Sequence, residues 1–214
     1  MRLCALKNTM QESHYHNLKY DSKRRFASYW HQIAEVITRN PKEVLEVGVG
    51  SGFVSRYLRA IDMQVTTVDL DSALGPDYVA DARSMPFQDK EFDLAVAYEV
   101  LEHMPYSDAL LALRELYRVS RQGVIVSFPD ATRSLPIQLP IPGLGIWRRV
   151  YTVPRLVAKT HILTKSGHHW EIGKSKFSLR RITSDLENIG FRIIKTYRVF
   201  ENPYHRFFIL EKKS

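Results

Sequence analysis

One run restricts the fold more than any other: a short apolar strand that passes straight into glycines and then into a helix. Glu43-Val44-Leu45-Glu46-Val47 leads into Gly48-Val49-Gly50-Ser51-Gly52, and Phe53 to Ile61 has helical periodicity. Glycine tolerates positive φ and carries no Cβ, so such a turn lets backbone N–H groups and a helix N-terminus come close to a ligand. The alternation continues downstream. Gln64 to Val68 reads as a second strand ending at Asp69, and Tyr78-Val79-Ala80 as a short third strand ending at Asp81. Phe92 to Tyr98 is nearly continuously apolar, as a buried parallel strand should be. Tyr106 to Val119 is amphipathic and begins just after Pro105, and Gly123 to Phe128 supplies a fifth strand. Upstream, Arg24 to Thr38 has Phe26, Ile33 and Val36 at helical spacing and is stopped by Asn40-Pro41. Strands and helices alternating in this way predict a mostly parallel sheet with helices on both faces.

The rhythm breaks after the fifth strand. About forty residues rich in Pro, Gly, Arg and aromatics precede a helix at Ser178 to Asn188, stopped by Gly190, and two closing strands at Phe191 to Val199 and Tyr204 to Leu210. The 214 residues, 44% of them apolar, suffice for one domain: residues 1–40 as an N-terminal helical segment, and 131–176 as an insertion. Pro136, Pro140, Pro142 and Pro154 argue against one long helix there, while Leu135, Ile137, Leu139, Ile141, Leu144, Ile146 and Trp147 form a large apolar surface. The net charge of +8 is concentrated in this insertion, where eight Lys/Arg stand against the single acid Glu171. A chain with one cysteine, Cys4, has neither a disulfide framework nor a cysteine-built zinc site, and its apolar runs are too short or too proline-broken to span a bilayer. These points lead us to expect a soluble, cytoplasmic protein.

A glycine turn by itself fits many nucleotide binders. The dinucleotide fingerprint G-x-G-x-x-G would need glycine at position 53, which is Phe53; here the glycines fall at 48, 50 and 52. Asp69, at the end of the second strand, stands where a carboxylate accepts from both hydroxyls of a ribose, a feature common to NAD and S-adenosylmethionine. Asp81-Ala82 separates the two, since this pair can meet an adenine amino group and ring nitrogen after the third strand.

With these motifs in place, the chain resembles the class I S-adenosylmethionine-dependent methyltransferases, in the small-molecule branch that includes ubiquinone-biosynthesis-type enzymes. The resemblance is carried by Val44 to Gly52, Val68-Asp69-Leu70-Asp71, Asp81 to Phe87, Phe92-Asp93-Leu94-Ala95 and Glu99-Val100-Leu101-Glu102-His103, and covers about Glu43 to Pro129. It implies a Rossmann-like, seven-stranded sheet with an antiparallel last strand, and the insertion after the fifth strand. It also implies S-adenosyl-L-methionine as cofactor. Its methionine end would lie against Gly48, Gly50 and Gly52, with Glu46 near the amino group, Asp69 and Leu70 at the ribose, Asp81 and Ala82 at adenine, and Glu99 and Val100 flanking the methionine end.

Methyl transfer from a sulfonium needs alignment and desolvation more than a large catalytic constellation. If the acceptor arrives protonated a base is required, and His103 is the candidate, with helix capping or packing as the other reading. Glu102 reads as a helix-entry or solvated charge rather than a catalyst. His168-His169-Trp170-Glu171 offers two imidazoles and a carboxylate, but adjacent histidines rarely point the same way and no i, i+4 pair is present, so no metal site is expected there; a wall over the acceptor pocket, or packing beneath the insertion, fits better. The leading expectation is methyl transfer to a small-molecule or lipid-like acceptor, with the insertion as a lid whose arginines meet an anionic amphiphile or membrane surface. The basic, aromatic insertion keeps a nucleic-acid or protein acceptor as the alternative, although Tyr98-Glu99-Val100-Leu101 differs from the Asn/Asp-Pro-Pro-Tyr type of many nucleic-acid amino methyltransferases. A non-catalytic adaptor that only binds the cofactor is the third reading. The sequence leaves oligomeric state and acceptor atom open.

Overall fold

The computed structural model describes residues 20–153 and 167–213. Cys4, and the insertion's Pro154, Arg155, Lys159 and Lys165, lie outside the described residues. The elements in chain order are α1 (Lys23–Ile37), β1 (Glu43–Val47), α2 (Phe53–Ala60), β2 (Gln64–Asp69), β3 (Tyr78–Val79), β4 (Phe92–Tyr98), α3 (Tyr106–Val119), β5 (Ser120–Pro129), β6 (Ser134–Ile141), β7 (Gly145–Thr152), α4 (Leu179–Ile189), β8 (Phe191–Arg198) and β9 (His205–Lys212). Seven strands form one sheet in the order β3-β2-β1-β4-β5-β9-β8, parallel except that β9 runs antiparallel to both β5 and β8. This is the Rossmann-like architecture expected from the motifs.

The period-two geometry of the strands divides the interior into two cores, one on each face. Leu45 and Val47 of β1, Ala95 and Ala97 of β4, Val124 and Val126 of β5, and Phe208 and Leu210 of β9 pack under α3 and α4, against Leu113, Leu116, Ile182 and Leu186. Their strand neighbours Val44, Leu94, Val96, Ile125, Phe207 and Ile209 face α1 and α2, against Tyr29, Val36, Val54 and Leu58. Strands buried on both sides show the continuous apolar pattern that β4 displays. The helix ends follow local chemistry: Ser22 and Ser178 accept from the third amide beyond them, and Gly190, at φ 117°, closes α4 in the left-handed region.

The chain leaves β1 for β2 on one side and reaches β4 on the other. A crevice therefore opens at the carboxyl ends of β1 and β4, where α/β sheets bind their ligands. Glu99, just after β4, sits in the left-handed region at φ 54°, a conformation costing a non-glycine residue about 1–2 kcal/mol.

Regular structure appears where the sequence reading placed none. β6 and β7 pair as an antiparallel ribbon, Ser134↔Thr152 to Ile141↔Gly145, outside the main sheet. Leu135, Ile137, Leu139 and Ile141 alternate as a strand should, and the prolines masked that pattern. Alternate N–H groups of a two-stranded ribbon point away from the partner, and Pro136 and Pro140 share one parity, so both fit without breaking the ladder. The ribbon does not bury its apolar residues among those described: Leu135, Leu139, Leu144 and Ile146 are 52–84% exposed.

Candidate functional site

Two cavities open at the carboxyl edge of the sheet and share Gly48 in their walls. Backbone conformation fixes this junction. Gly48, Gly50 and Gly52 all have positive φ, and a Cβ on Gly48 would stand 2.2 Å from Val100 Cγ2. Gly48 N donates to Val68 O at 2.8 Å, and Asp69 Oδ2 accepts from Val49 N at 2.8 Å, so the end of β2 holds the glycine turn in place.

The larger cavity, about 370 Å³, is lined by Gly48, Asp69, Leu70, Asp81, Ala82, Val100, His103 and Met104, with Arg83 and Asp108 at its rim. Asp69 spends one lone pair on Val49 N and one on Asp71 N, at 2.9 Å, leaving two of about four acceptor sites for a ligand. Leu70 is 74% exposed and provides a bare apolar surface beside it. Asp81 forms a bidentate pair with Arg83, Nε donating to Oδ1 and Nη2 to Oδ2, and Arg83 also reaches Asp108 at 2.5 Å; Arg83's hydrogen bonds keep the Asp81 carboxyl below its ordinary range.

The smaller cavity, about 50 Å³, is bounded by Tyr20, Arg25, Gln32, Glu46, Gly50 and Glu99 among others. Burial raises Glu46 to about 7, and its Oε2 has no partner among the described residues. Burial likewise lifts Glu99 to about 8, with Glu171 adding repulsion and Arg25 opposing it. One guanidinium and two carboxyls around a small space match the α-carboxylate and α-ammonium of an amino acid.

Of the ten residues expected at a cofactor, Gly48, Asp69, Leu70, Asp81, Ala82 and Val100 line the larger cavity, and Glu46, Gly50 and Glu99 join Gly48 in the smaller. Gly52 lines neither; it is the left-handed N-cap of α2, covered by Arg56. Arg25, on α1 and remote in sequence from the motifs, was missed. The only signal available for it was its position on a helix preceding the glycine turn.

His103 closes a short 3-10 turn, Leu101–His103, and lines the larger cavity. Partial desolvation, then His168 and His169, lower its pKa, so at neutral pH the imidazole is uncharged. Glu102 corrects the sequence reading. It is wholly buried rather than solvated, with neither carboxylate oxygen partnered among the described residues. The end of the insertion covers it: His169 N donates to Glu102 O at 2.7 Å and Trp170 Nε1 to Leu101 O at 3.2 Å. Burial first, then Glu99 and Glu171, push the Glu102 pKa far up. His168 and His169 diverge as expected, one buried and the other exposed, while Trp170 packs into the core on Tyr106 and Phe128. His168 instead meets His103, ring centroids 4.9 Å apart, and its Nδ1 lies 3.2 Å from Glu171 Oε1. Burial opposes ionisation of Glu171, but Tyr204, His168 and Lys174 outweigh it and hold its pKa low.

Beyond the crevice, a cavity of about 350 Å³ lies between the ribbon and the β8–β9 edge, with Arg148, Arg149, Arg198 and Arg206 in its wall. Asp130 pairs with Arg206 at 2.7 Å and with Arg198 at 3.7 Å, and Glu201 with Arg148 at 3.3 Å. Among the described residues no helix is long and apolar enough to cross a membrane.

Residues 45–128 match the family model described as a methyltransferase domain. A malonyl-[acyl-carrier protein] O-methyltransferase of Pseudescherichia vulneris is 35% identical over 115 residues, 49% of this chain and 45% of the relative. A demethylmenaquinone methyltransferase of Thermotoga maritima is 33% identical over 129 residues, 50% of this chain and 55% of the relative. The chain thus spans about half the length of the curated relatives it matches. Among solved structures, the 1,6-didemethyltoxoflavin-N1-methyltransferase of Burkholderia thailandensis, with bound S-adenosylhomocysteine, aligns over 100% of this chain and 89% of its own at a TM-score of 0.59 and 16% identity. The magnesium protoporphyrin IX methyltransferase of Synechocystis, with S-adenosylmethionine bound, covers 89% of this chain and 80% of its own, with a TM-score of 0.59 and 14% identity. At such identities these structures speak for the fold.

Proposed function

We propose that this chain, whose residues 45–128 match a methyltransferase domain, is a class I S-adenosylmethionine-dependent enzyme that transfers a methyl group to a small-molecule or lipid-like acceptor. The observation that carries the reading is the pair of cavities meeting at Gly48, whose polar groups complement a nucleoside at one end and a zwitterionic amino acid at the other. The cofactor supplies an activated methyl group bonded to sulfur. Asp69 would hold the ribose through its two remaining acceptor sites, and Asp81 and Ala82 the adenine beside Leu70. Glu46, with its unpartnered buried oxygen, would take the ammonium, and Arg25 the carboxylate. Gly48 keeps the cradle open, since a side chain there would collide with Val100.

His103 lines the same cavity and, being uncharged at neutral pH, is available for an acceptor proton. The ribbon would serve as part of the lid. Leu135, Leu139 and Tyr151 share one face of it with Arg149, an apolar surface with a cationic group that suits an anionic amphiphile or membrane surface. The relatives named for malonyl-[acyl-carrier protein] and demethylmenaquinone support an acceptor of this class.

Calorimetry with S-adenosylhomocysteine and NAD tests the cofactor, and a screen of small-molecule, lipid, nucleic-acid and protein acceptors with methyl-labelled cofactor tests the reaction. Micromolar binding of S-adenosylhomocysteine, no binding of NAD, and label in a small-molecule or lipid fraction are expected. Tighter binding of NAD would end the reading. Label in nucleic acid or protein alone would move it to those acceptors, and binding without label in any fraction would favour a non-catalytic adaptor.

A further inference from the structure

Three carboxyls, Glu99, Glu102 and Glu171, lie close enough to repel one another beneath the turn that follows β4. Glu171 is held by Tyr204 at 2.6 Å, by His168 and by Lys174, while Glu99 has one oxygen 3.6 Å from His205 and the other, Oε1, without a hydrogen-bond partner among the described residues. Glu102 is different. It is fully buried, and both its oxygens lack a hydrogen-bond partner among the described residues. A buried acceptor left in this way has lost its water without gaining a replacement hydrogen bond.

From this geometry we infer that Glu102, His103 and His168 form a divalent transition-metal site, with zinc the best-matched ion, at the rim of the larger cavity. One ligand atom from each of the three lies within 4.8 Å of the others. A tetrahedral zinc with bonds of about 2.1 Å needs ligand atoms about 3.4 Å apart, so small side-chain rotations close the set. Two imidazoles and a carboxylate form a mixed nitrogen and oxygen set that suits zinc better than magnesium, which prefers oxygen and retains its waters.

The surroundings have the form of a second shell. His168 Nδ1 is engaged by Glu171 Oε1 at 3.2 Å, which assigns Nε2 to the metal, and Tyr204 and Lys174 in turn hold Glu171. Metal-binding histidines are commonly oriented by such a carboxylate. The three residues come from the β4–α3 turn and the far end of the insertion, so a metal here would tie the lid segment to the crevice.

Three protein ligands leave a fourth position for water or substrate, and His103 lines the cavity. Resting on the methyltransferase reading, this gives the acceptor a chemical class: a hydroxyl or phenol whose oxygen enters the open position. The metal lowers the pKa of that hydroxyl, whose proton passes to solvent. The oxygen's electron pair then forms the bond to the methyl carbon while the carbon–sulfur bond breaks, its electrons returning to sulfur as the neutral thioether. His103 then acts through the metal rather than as a free base.

The test uses the whole chain, stripped with chelator and titrated with zinc chloride in a calorimeter, with S-adenosylhomocysteine binding measured on the same samples. One zinc per chain is expected, together with a zinc-dependent rise in thermal midpoint and, with cobalt in its place, visible bands of a tetrahedral ion. Glu102→Gln and His168→Ala should each weaken zinc on the order of 100-fold or more, and Glu171→Gln about 10- to 100-fold. Glu102→Gln removes the carboxylate that a metal would bind without changing shape, so it also covers the case in which His168→Ala fails to fold. A wild-type chain that retains no zinc, or variants that retain it as well as the wild type, overturn the site. S-adenosylhomocysteine binding without zinc would leave the methyltransferase reading standing alone, and zinc binding without it the reverse.

Discussion

Removing the Asp69 carboxylate tests the cofactor reading at the residue with the most defined bonding. It has about four acceptor sites; Val49 N and Asp71 N occupy two, at 2.8 and 2.9 Å, and two remain for ribose hydroxyls. Each hydrogen bond to a charged acceptor contributes about 1.5–3 kcal/mol, and water recovers part of the loss in the variant, so Asp69→Ala should weaken S-adenosylhomocysteine by about 2–4 kcal/mol. That corresponds to roughly 30- to 900-fold in Kd. Asp69→Asn keeps one carbonyl oxygen but turns the other position into a donor, so it should lose about half as much free energy. Because Asp69 also tethers the glycine turn, adenosine serves as the control ligand: it contains the ribose but not the methionine end. An equal loss for adenosine and S-adenosylhomocysteine locates the effect at the ribose, while a loss confined to the longer ligand would assign it to the turn. Calorimetry with a circular-dichroism check of folding decides the matter, and an unchanged Kd in a folded variant refutes the site.

Glu46 should confer a pH dependence. Its folded value, about 7, lies above the unfolded 4.5, so the stability it confers is complete below pH 4.5 and is lost as pH rises to about 7, by about 3 kcal/mol, which Glu46→Gln should abolish in urea titrations. Over the same interval S-adenosylhomocysteine affinity should rise as the carboxylate forms; a flat profile in the wild type would remove Glu46 from the ammonium. His103→Ala should reduce turnover on an identified acceptor by about 10²–10⁴ and leave cofactor Kd within about twofold; unaltered turnover would return His103 to a capping role. Arg148→Glu with Arg149→Glu should diminish binding to anionic lipid vesicles, least at high salt, without changing cofactor affinity; vesicle binding equal to wild type would detach the basic ribbon from acceptor recognition.

The sheet could be read from the sequence because strands buried on both faces write themselves as apolar runs bounded by glycine, proline and capping residues. β1, β4 and α3 fall where periodicity put them, and Gly190 ends α4 as a left-handed cap. The two cavities proposed to hold the cofactor are assembled from strand ends and the turns directly after them, so spacing along the chain translates into position at the crevice. Arg25 and the β6–β7 ribbon were not legible. Arg25 reaches the smaller cavity only because α1 packs on the β1 face, which no local pattern encodes. The ribbon's alternation was present, but it was weighed against prolines whose cost depends on which side of the strand has a partner.

Glu102 shows why burial of a charged residue escapes periodicity. It sits among Leu101, His103 and Met104 on a turn, and whether it meets water depends on the segment around Trp170, almost seventy residues later in the chain. Once that segment is laid down, a leucine or methionine would fill the same space without leaving two oxygens unpartnered, and exchanges of buried charge for apolar groups are often neutral or stabilising. The cost is confined to the cavity rim. Glu99, three residues earlier, bears its own cost there as a buried carboxyl in the left-handed region. Among the described residues, the buried carboxyl oxygens without a partner belong to Glu46, Glu99 and Glu102, at the ends of β1 and β4 where the crevice begins. Strain and unpartnered carboxyl oxygens placed together beside an open cavity are relieved by a ligand that brings positive charge and displaces their protons, and both the ammonium of the cofactor and a divalent metal would do so.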